Sequence, residues 1–400
     1  VPILDLGNQS LTGIFPKSSQ VDVPKGPLQL TKCAHCDLVQ LAHNFDLSQL
    51  YGQNYGYRSG LNQSMVKHLQ GKVAKILGRV EVAADDLIID IGSNDSTLLQ
   101  SYPKDKGLKL VGIDPTGVKF GHYYPSHIQL IPDFFSRENV KKAFGNKKAK
   151  IITSIAMFYD LEHPVQFMRE IFESLDDEGV WVFEQSYMPF MLDTTSYDTV
   201  CHEHLEYYGL KQMKFMADQV GFKIVDIEFN DVNGGSFSLT VAKKSSRFPE
   251  ATAEIAKVLG DEQKRGLSGL DVFKDFKDRT FRHRDQLKEF FSGAAKEGAS
   301  VFGYGASTKG NVLLQFCELT TEELPWIAEV NEDKFGSFTP GTKIPIISES
   351  EAKKRNPTYF MVLPWHFKSG ILSREKTYLS TGGKLLFPLP KLEVISSSTQ

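Results

Sequence analysis

Only four cysteines, Cys33, Cys36, Cys201 and Cys317, occur in 400 residues. That is too few for a disulfide framework and points to a reducing, cytoplasmic setting. No apolar run approaches the roughly 18–20 residues needed to cross a bilayer. The opening Val-Pro-Ile-Leu-Asp-Leu-Gly also lacks the basic lead of a secretory signal, so no membrane partner is expected. Blocks of one charge are missing too: 46 basic residues face 49 acidic ones, for a net charge of −3. Without a lysine or arginine run to track phosphates, nucleic acid is not an expected partner. Internal repeats and low-complexity tracts are absent. What is present is the composition of a globular chain of two or three domains.

Residues 1–60 are short apolar pieces broken by Gly and Pro, ending in the aromatic-rich Tyr51–Arg58. From 61 to 246, helical stretches alternate with short apolar runs. Strands are expected at Leu87–Asp90, Leu110–Asp114, Ile151–Ser154 and Val180–Glu184, and helices near 62–78, 96–102 and 164–175. This alternation predicts a mostly parallel sheet covered on both faces. Residues 247–298 are charged, with apolar positions such as Ile255, Val258, Phe273, Phe276 and Leu287, and predict a helical connecting arm. From 299 to 400 the alternation restarts, with strands at Ser300–Tyr304, Trp326–Val330, Thr358–Leu363 and Lys384–Pro388 and helices over 309–317 and 367–376. The expected class is α/β with two doubly wound, Rossmann-like domains.

Leu87-Ile-Ile-Asp90-Ile-Gly92-Ser93-Asn94-Asp95 reads as an apolar strand closing on an acid, then a glycine turn. Glycine lets backbone approach a ligand at the carboxyl end of a strand, where open α/β sheets bind their ligands. A single glycine offers no pyrophosphate cradle. Asp114 ends the next strand where a ribose-binding acid belongs, and Asp133-Phe134 offers an acid and an aromatic face for adenine.

Val200-Cys-His202-Glu203-His204-Leu-Glu206-Tyr207-Tyr208 packs several proton-moving groups into nine residues. An imidazole titrates near working pH and can accept a substrate proton, and an adjacent carboxylate can orient it. The His-Glu-x-x-His zinc spacing is not met, and the bland reading is a histidine that satisfies buried carbonyls. Further along, Gly303-Tyr304-Gly305-Ala-Ser307-Thr308-Lys309-Gly310-Asn311 follows a strand and opens a helix. Its free amides with Ser307, Thr308 and Lys309 form a diphosphate cradle, with Glu329 and Asn331 placed to contact ribose or base. This turn alone also suits a nicotinamide-dependent oxidoreductase or epimerase, although its spacing departs from Gly-x-Gly-x-x-Gly. A non-catalytic nucleotide-sugar-binding protein is a third reading. Cys33-x-x-Cys36 is half of a four-ligand zinc knuckle, and His35 and His43 are weak substitutes for the missing half.

The ordered motifs Leu4-Asp-Leu-Gly7, Cys33-Ala-His-Cys36, Tyr55-Gly-Tyr57-Arg-Ser59, Asp198–Tyr208, Gly303-Tyr-Gly-Ala, Lys309-Gly-Asn311, Pro340-Gly-Thr342 and Leu363-Pro-Trp365 run almost end to end. In that order they resemble the nucleotide-sugar C-methyltransferases, which move a methyl group from S-adenosylmethionine to carbon 3 of a nucleotide-linked 4-keto-6-deoxyhexose. The resemblance implies a small N-terminal zinc-knuckle-like piece, a central methyltransferase domain and a C-terminal domain holding the nucleotide-sugar. It implies that Asp90, Gly92, Ser93, Asn94, Asp114, Asp133 and Phe134 hold S-adenosylmethionine. Tyr304, Ser307, Lys309, Asn311, Glu329 and Asn331 would hold the nucleotide-diphosphate sugar. His204 resembles the general base, Glu203 the acid beside it, Tyr57 an aromatic reaching the sugar and His163 a polar contact. Some members carry tyrosine where this chain has Cys201, so the donor to the substrate oxygen is open, with Tyr207 and Tyr208 as candidates. Zinc at Cys33 and Cys36 is expected only with a second ligand pair upstream of Leu4.

Overall fold

Residues 1–45 and 57–397 are described by the computed structural model; the aromatic stretch expected at Tyr51–Gly56 lies outside them. The central sheet is built on Leu87–Ile91, an apolar run buried along its whole length, as a strand covered on both faces must be. Seven strands lie in the order Phe222–Asn230, Ser236–Lys243, Leu175–Ser186, Ala149–Ile155, Leu87–Ile91, Lys109–Ile113, Ile128–Ile131. All run parallel except Ser236–Lys243, which pairs antiparallel with both neighbours. The chain leaves Leu87–Ile91 toward Lys109–Ile113 and later returns on its other side with Ala149–Ile155. This reversal opens a crevice beyond the carboxyl ends of those strands. Helix Gln63–Arg79, capped by Asn62, covers one face through Met65, Leu69, Val73 and Ile76. Helices Pro164–Ser174 and Leu210–Val220 cover the other, around Trp181 stacked on Phe183 at 4.1 Å.

Two expectations are corrected here, and one hairpin was not foreseen. Residues 96–102 are not an α-helix: left-handed Asn94 (φ 51°) and Ser96 (φ 63°) bend the chain, and only the 3-10 turn Leu99–Ser101 follows. The hairpin Phe222–Asn230/Ser236–Lys243 went unpredicted. The arm is two helices, Thr252–Lys264 and Asp271–Lys296, each packed on a different part. Ile255 and Val258 join the central core, whereas Phe273, Phe276, Leu287 and Phe291 join the core shared by the N- and C-terminal sheets.

The N-terminal piece is an antiparallel sheet of Pro2–Ser10, Lys25–Lys32 and Val39–Leu41, and its fourth strand, Glu206–Tyr207, comes from mid-chain. Val39 pairs with Tyr207 and Gln40 with Glu206, so residues 202–204 are tied to the N-terminal piece through the adjoining backbone. The C-terminal sheet runs in the order Ile346–Ser348, Ile327–Glu329, Val301–Tyr304, Tyr359–Val362, Lys384–Phe387, Glu393–Ile395, parallel but for the last strand. It too reverses, between Val301–Tyr304 and Tyr359–Val362, and opens a second crevice. Among the described residues no helix is long and apolar enough to cross a membrane.

Candidate active site

The first crevice is acidic. Asp90 is buried one residue before the end of its strand and accepts a hydrogen bond from Thr153 Oγ1 at 2.6 Å. Burial, with the nearby charge of Asp114, pushes its carboxyl up to about 7. Gly92 turns the chain with φ +71°, a left-handed position that glycine adopts without strain. Asp114 Oδ2 accepts the amide of Asn94 at 2.7 Å, and Oδ1 accepts the amide and hydroxyl of Thr116, both at 2.6 Å. Ser93 Oγ lies 2.7 Å from the Tyr124 hydroxyl. Past the third strand, Asp133 Oδ1 accepts the Phe134 amide at 2.7 Å, and the Phe134 ring leaves 48% of its surface exposed. With Asp95, three carboxyls surround one turn. Carboxyls at this turn disfavour a diphosphate and offer acceptors to an amine and to ribose hydroxyls, although burial raises the pKa of both Asp90 and Asp114. These residues fit S-adenosylmethionine.

Asn94 does something else with its side chain. Its Oδ1 accepts the Ser59 amide at 3.0 Å and its Nδ2 donates to the Tyr57 carbonyl at 3.1 Å, while Asp95 Oδ2 accepts the Gly60 amide at 2.9 Å. The carboxamide expected on the cofactor thus docks residues 57–60 onto the cofactor turn, and Tyr57 is exposed there.

In the second crevice Glu329 repeats the device of Asp114. Its Oε2 accepts the Ala306 amide at 2.8 Å, and its Oε1 accepts those of Val330 and Asn331 at 2.7 and 2.8 Å. Ser307 caps helix Thr308–Phe316 by accepting the Gly310 amide at 3.0 Å, and Asn331 Oδ1 accepts the Asp333 amide at 3.2 Å. Three expected ligands are engaged elsewhere: Tyr304, Asn311 and Lys309, whose Nζ donates to the Asn233 carbonyl at 2.7 Å. Tyr304 faces the helix layer, where its hydroxyl is bonded by Glu375 at 2.6 Å, Glu349 at 3.0 Å and Arg374. Asn311 is fully buried and donates to the Thr12 carbonyl at 2.7 Å, pinning the N-terminal loop. A cation that no motif announced, Lys334, donates to the Ala306 carbonyl at 2.7 Å and carries its charge to the turn. Burial lowers its pKa, against the nearby carboxylates of Glu329 and Asp333, which favour its charged form.

The two crevices meet at residues 198–204. His204 is half-buried; its Nδ1 lies 2.9 Å from the Thr199 carbonyl and its ring packs on Tyr159 at 4.3 Å. A carbonyl only accepts, so the proton sits on Nδ1 and Nε2 keeps its lone pair. Burial, then the charge of Lys309, pushes this imidazole down to about 3, which keeps it neutral. Glu203 does not orient it: its Oε2 accepts from Thr12 Oγ1 at 3.2 Å, and burial raises its pKa. His202 takes the bland role, buried with Nε2 3.2 Å from the Gly26 carbonyl and edge-on to Phe45 at 4.6 Å. Cys201 is buried in the core, and burial raises its thiol pKa, so it is a packing residue. Tyr207 already donates to the Thr199 carbonyl at 3.3 Å, and Tyr208 lies in the central core against Phe158 at 5.6 Å, so neither phenol is placed to serve a substrate oxygen. His163 is exposed at the start of helix Pro164–Ser174.

Sequence reasoning gave Asp198 and Trp365 only as motif members and Lys309 as a ligand of the nucleotide-sugar, and missed how they are joined. Asp198 Oδ2 accepts from Trp365 Nε1 at 2.7 Å, Lys309 Nζ donates to the Asn233 carbonyl at 2.7 Å, and His366 is kept neutral by burial and by Lys309.

Cys33 and Cys36 flank a tight turn in which the Cys33 amide donates to the Leu38 carbonyl at 2.8 Å. Among the described residues no three His, Cys, Asp or Glu side chains gather for a metal, and two thiolates do not complete a tetrahedral site. The described residues do not fit a closed zinc site.

Known proteins are similar to this chain over nearly its whole length. Residues 1–51 match the family model of a proposed zinc-binding domain, 65–227 that of a methyltransferase domain and 231–390 that of the C-methyltransferase C-terminal domain. The chain is 29% identical over 374 residues, 93% of its length, to the C-methyltransferase NovU of Streptomyces niveus, of which it covers 88%. Solved structures resemble it remotely. A SAM-dependent methyltransferase from Archaeoglobus fulgidus has a TM-score of 0.36 at 12% identity, over 44% of this chain and 94% of that one. LepI in complex with SAM also scores 0.36, at 15% identity over 46% and 54%.

Proposed function

We propose, for a chain that belongs to the S-adenosylmethionine-dependent C-methyltransferases, that its acceptor is carbon 3 of a nucleotide-linked 4-keto-6-deoxyhexose. The observation that carries this reading is His204, with Nδ1 fixed on Thr199 and Nε2 left with its lone pair, on a segment that touches Tyr159 of the central domain and Trp365 of the C-terminal one. S-adenosylmethionine, when bound, supplies an electrophilic methyl group. The second crevice, with Lys334 and the amides at Ser307–Lys309, takes the diphosphate. His204 Nε2 then removes the proton beside the ketone, and the freed electron pair moves onto the carbonyl oxygen. The carbanion character that results lies at carbon 3 and faces the first crevice. Tyr57, docked on the cofactor turn by Asn94, and His163 close the sugar side and exclude water. Glu203 ties the N-terminal loop to the reacting segment through Thr12. With four free cysteines the reaction belongs in the cytoplasm.

The test is incubation with methyl-labelled S-adenosylmethionine and a panel of nucleotide-linked 4-ketohexoses. Label bound to carbon 3 is expected; label on oxygen, or none with any member, refutes the reading.

A further inference from the structure

The proposed reaction needs a donor toward the oxygen on which charge develops, and the residues first considered for it are engaged elsewhere. Tyr207 donates to Thr199, Tyr208 is in the core, and Cys201 is a buried thiol. One cationic side chain from the C-terminal turn, Lys309, crosses to the central domain beside that segment instead. Resting on the proposed function, we propose that Lys309 is the oxyanion donor of the reaction, its ammonium facing the charge that forms on the C4 carbonyl oxygen.

The placement is geometric. Helix Thr308–Phe316 starts beside the reacting segment: a Cβ built on Gly13 would lie 2.4 Å from Glu203 Oε1 and 3.9 Å from Thr308 Oγ1. Lys309 is turned away from the amides of its own turn, and its Nζ donates to the Asn233 carbonyl in the hairpin loop of the central domain at 2.7 Å. One of its three N–H donors is thereby fixed. Asn233 belongs to the loop whose Gly234 packs on Trp365, and Trp365 Nε1 holds Asp198 at 2.7 Å, next to the Thr199 carbonyl that fixes His204. A ring of contacts therefore joins the lysine to the base through both domains.

The electrostatics agree. The Lys309 charge bears on His204, His366 and Asp198 alike, and Asp198 is the acid that favours keeping the ammonium charged against its burial. The diphosphate does not depend on this lysine, because Lys334, donating to the Ala306 carbonyl at 2.7 Å, already brings an ammonium to that turn. In the step, the C3–H bond breaks and its proton goes to His204 Nε2. The C–H electron pair becomes the C3–C4 double bond, and the carbonyl π pair moves to the oxygen beside the ammonium. Each charge then has an opposite partner: the oxyanion between Lys309 and the new imidazolium. The lysine that weakens the base in the free protein is compensated at the moment of transfer.

The experiment compares wild type with Lys309→Met and Lys309→Arg. It measures exchange of the C3 hydrogen with deuterium oxide in the absence of S-adenosylmethionine, kcat and KM for methyl transfer, and S-adenosylmethionine affinity as a check on folding. The methionine variant is expected to lose exchange and kcat together by about 10²- to 10³-fold, with KM and cofactor affinity little changed. The arginine variant, which keeps a donor in a different shape, is expected to fall at least about tenfold in exchange while binding cofactor normally, and it decides the matter if the methionine variant folds poorly. Wild-type exchange in the variants, or a raised KM with unchanged kcat, overturns the inference and makes Lys309 a phosphate ligand. A wild-type protein that methylates no 4-ketosugar overturns the proposed function itself.

Discussion

Replacing Gly13 with alanine strikes the seam where three parts of the chain meet. The new Cβ would sit 2.4 Å from Glu203 Oε1, closer than a carbon and an oxygen pack, and Glu203 is buried with its other oxygen held by Thr12. The loop cannot simply back away, because the Thr12 carbonyl is pinned by Asn311 of the C-terminal helix at 2.7 Å. Overpacking of this kind costs about 1–3 kcal/mol. If the strain falls on the reacting geometry, kcat/KM drops about 5- to 150-fold at 1.36 kcal/mol per decade. Cofactor affinity, set in the other crevice, is expected to stay within about twofold. The decisive assay is a cycle: Gly13→Ala is made in wild type and in Glu203→Ala, which removes the colliding oxygen, and kcat/KM is measured for all four proteins. The alanine at 13 should be nearly silent in the second background. An equal loss in both backgrounds, or a loss of cofactor affinity as large as that of turnover, would refute the seam.

Phe134→Ala should weaken S-adenosylmethionine binding by about tenfold, the value of a stacked base, and leave the nucleotide-sugar KM unchanged; titration calorimetry with each ligand tells the two apart. His202 is buried neutral, its pKa pushed down to about 4. The unfolded chain therefore binds a proton that the folded one refuses as pH falls below about 6.5, and stability present at neutral pH is lost between there and about 4. His202→Gln should reduce the acid dependence of unfolding by on the order of 3 kcal/mol across that window; an unchanged slope in urea titrations at stepped pH would show that the imidazole is not the cause.

Both doubly wound sheets were legible because their first strands are apolar runs that end on an acid or a glycine turn, a pattern local in sequence. Asp114 and Glu329 were legible for the same reason, although their oxygens hold turn amides before any ligand arrives. The expected helix at 96–102 failed because left-handed Asn94 and Ser96 bend a stretch of ordinary composition. The strand Glu206–Tyr207 is two residues long and exists only because Val39 and Gln40 pair with it. Around residues 198–208 the gathering of polar groups was legible, but which neighbour each of them bonds was not. Glu203 bonds Thr12, 191 residues away in sequence, and Trp365 bonds Asp198, 167 residues away. Contacts of that range are fixed by how the sheets pack, which no local pattern encodes. Tyr304 and Asn311 were misassigned for the same reason, since their spacing in a glycine turn does not tell which way a side chain leaves the strand or helix.

The most direct measurement is the wash-in of solvent deuterium at the carbon beside the ketone, by mass spectrometry, for wild type and His204→Ala with a nucleotide-linked 4-ketohexose and no cofactor. Wild type should take up one deuterium there, and the variant none on the same timescale while still binding S-adenosylmethionine. Undiminished uptake in the variant would mean that another group removes the proton.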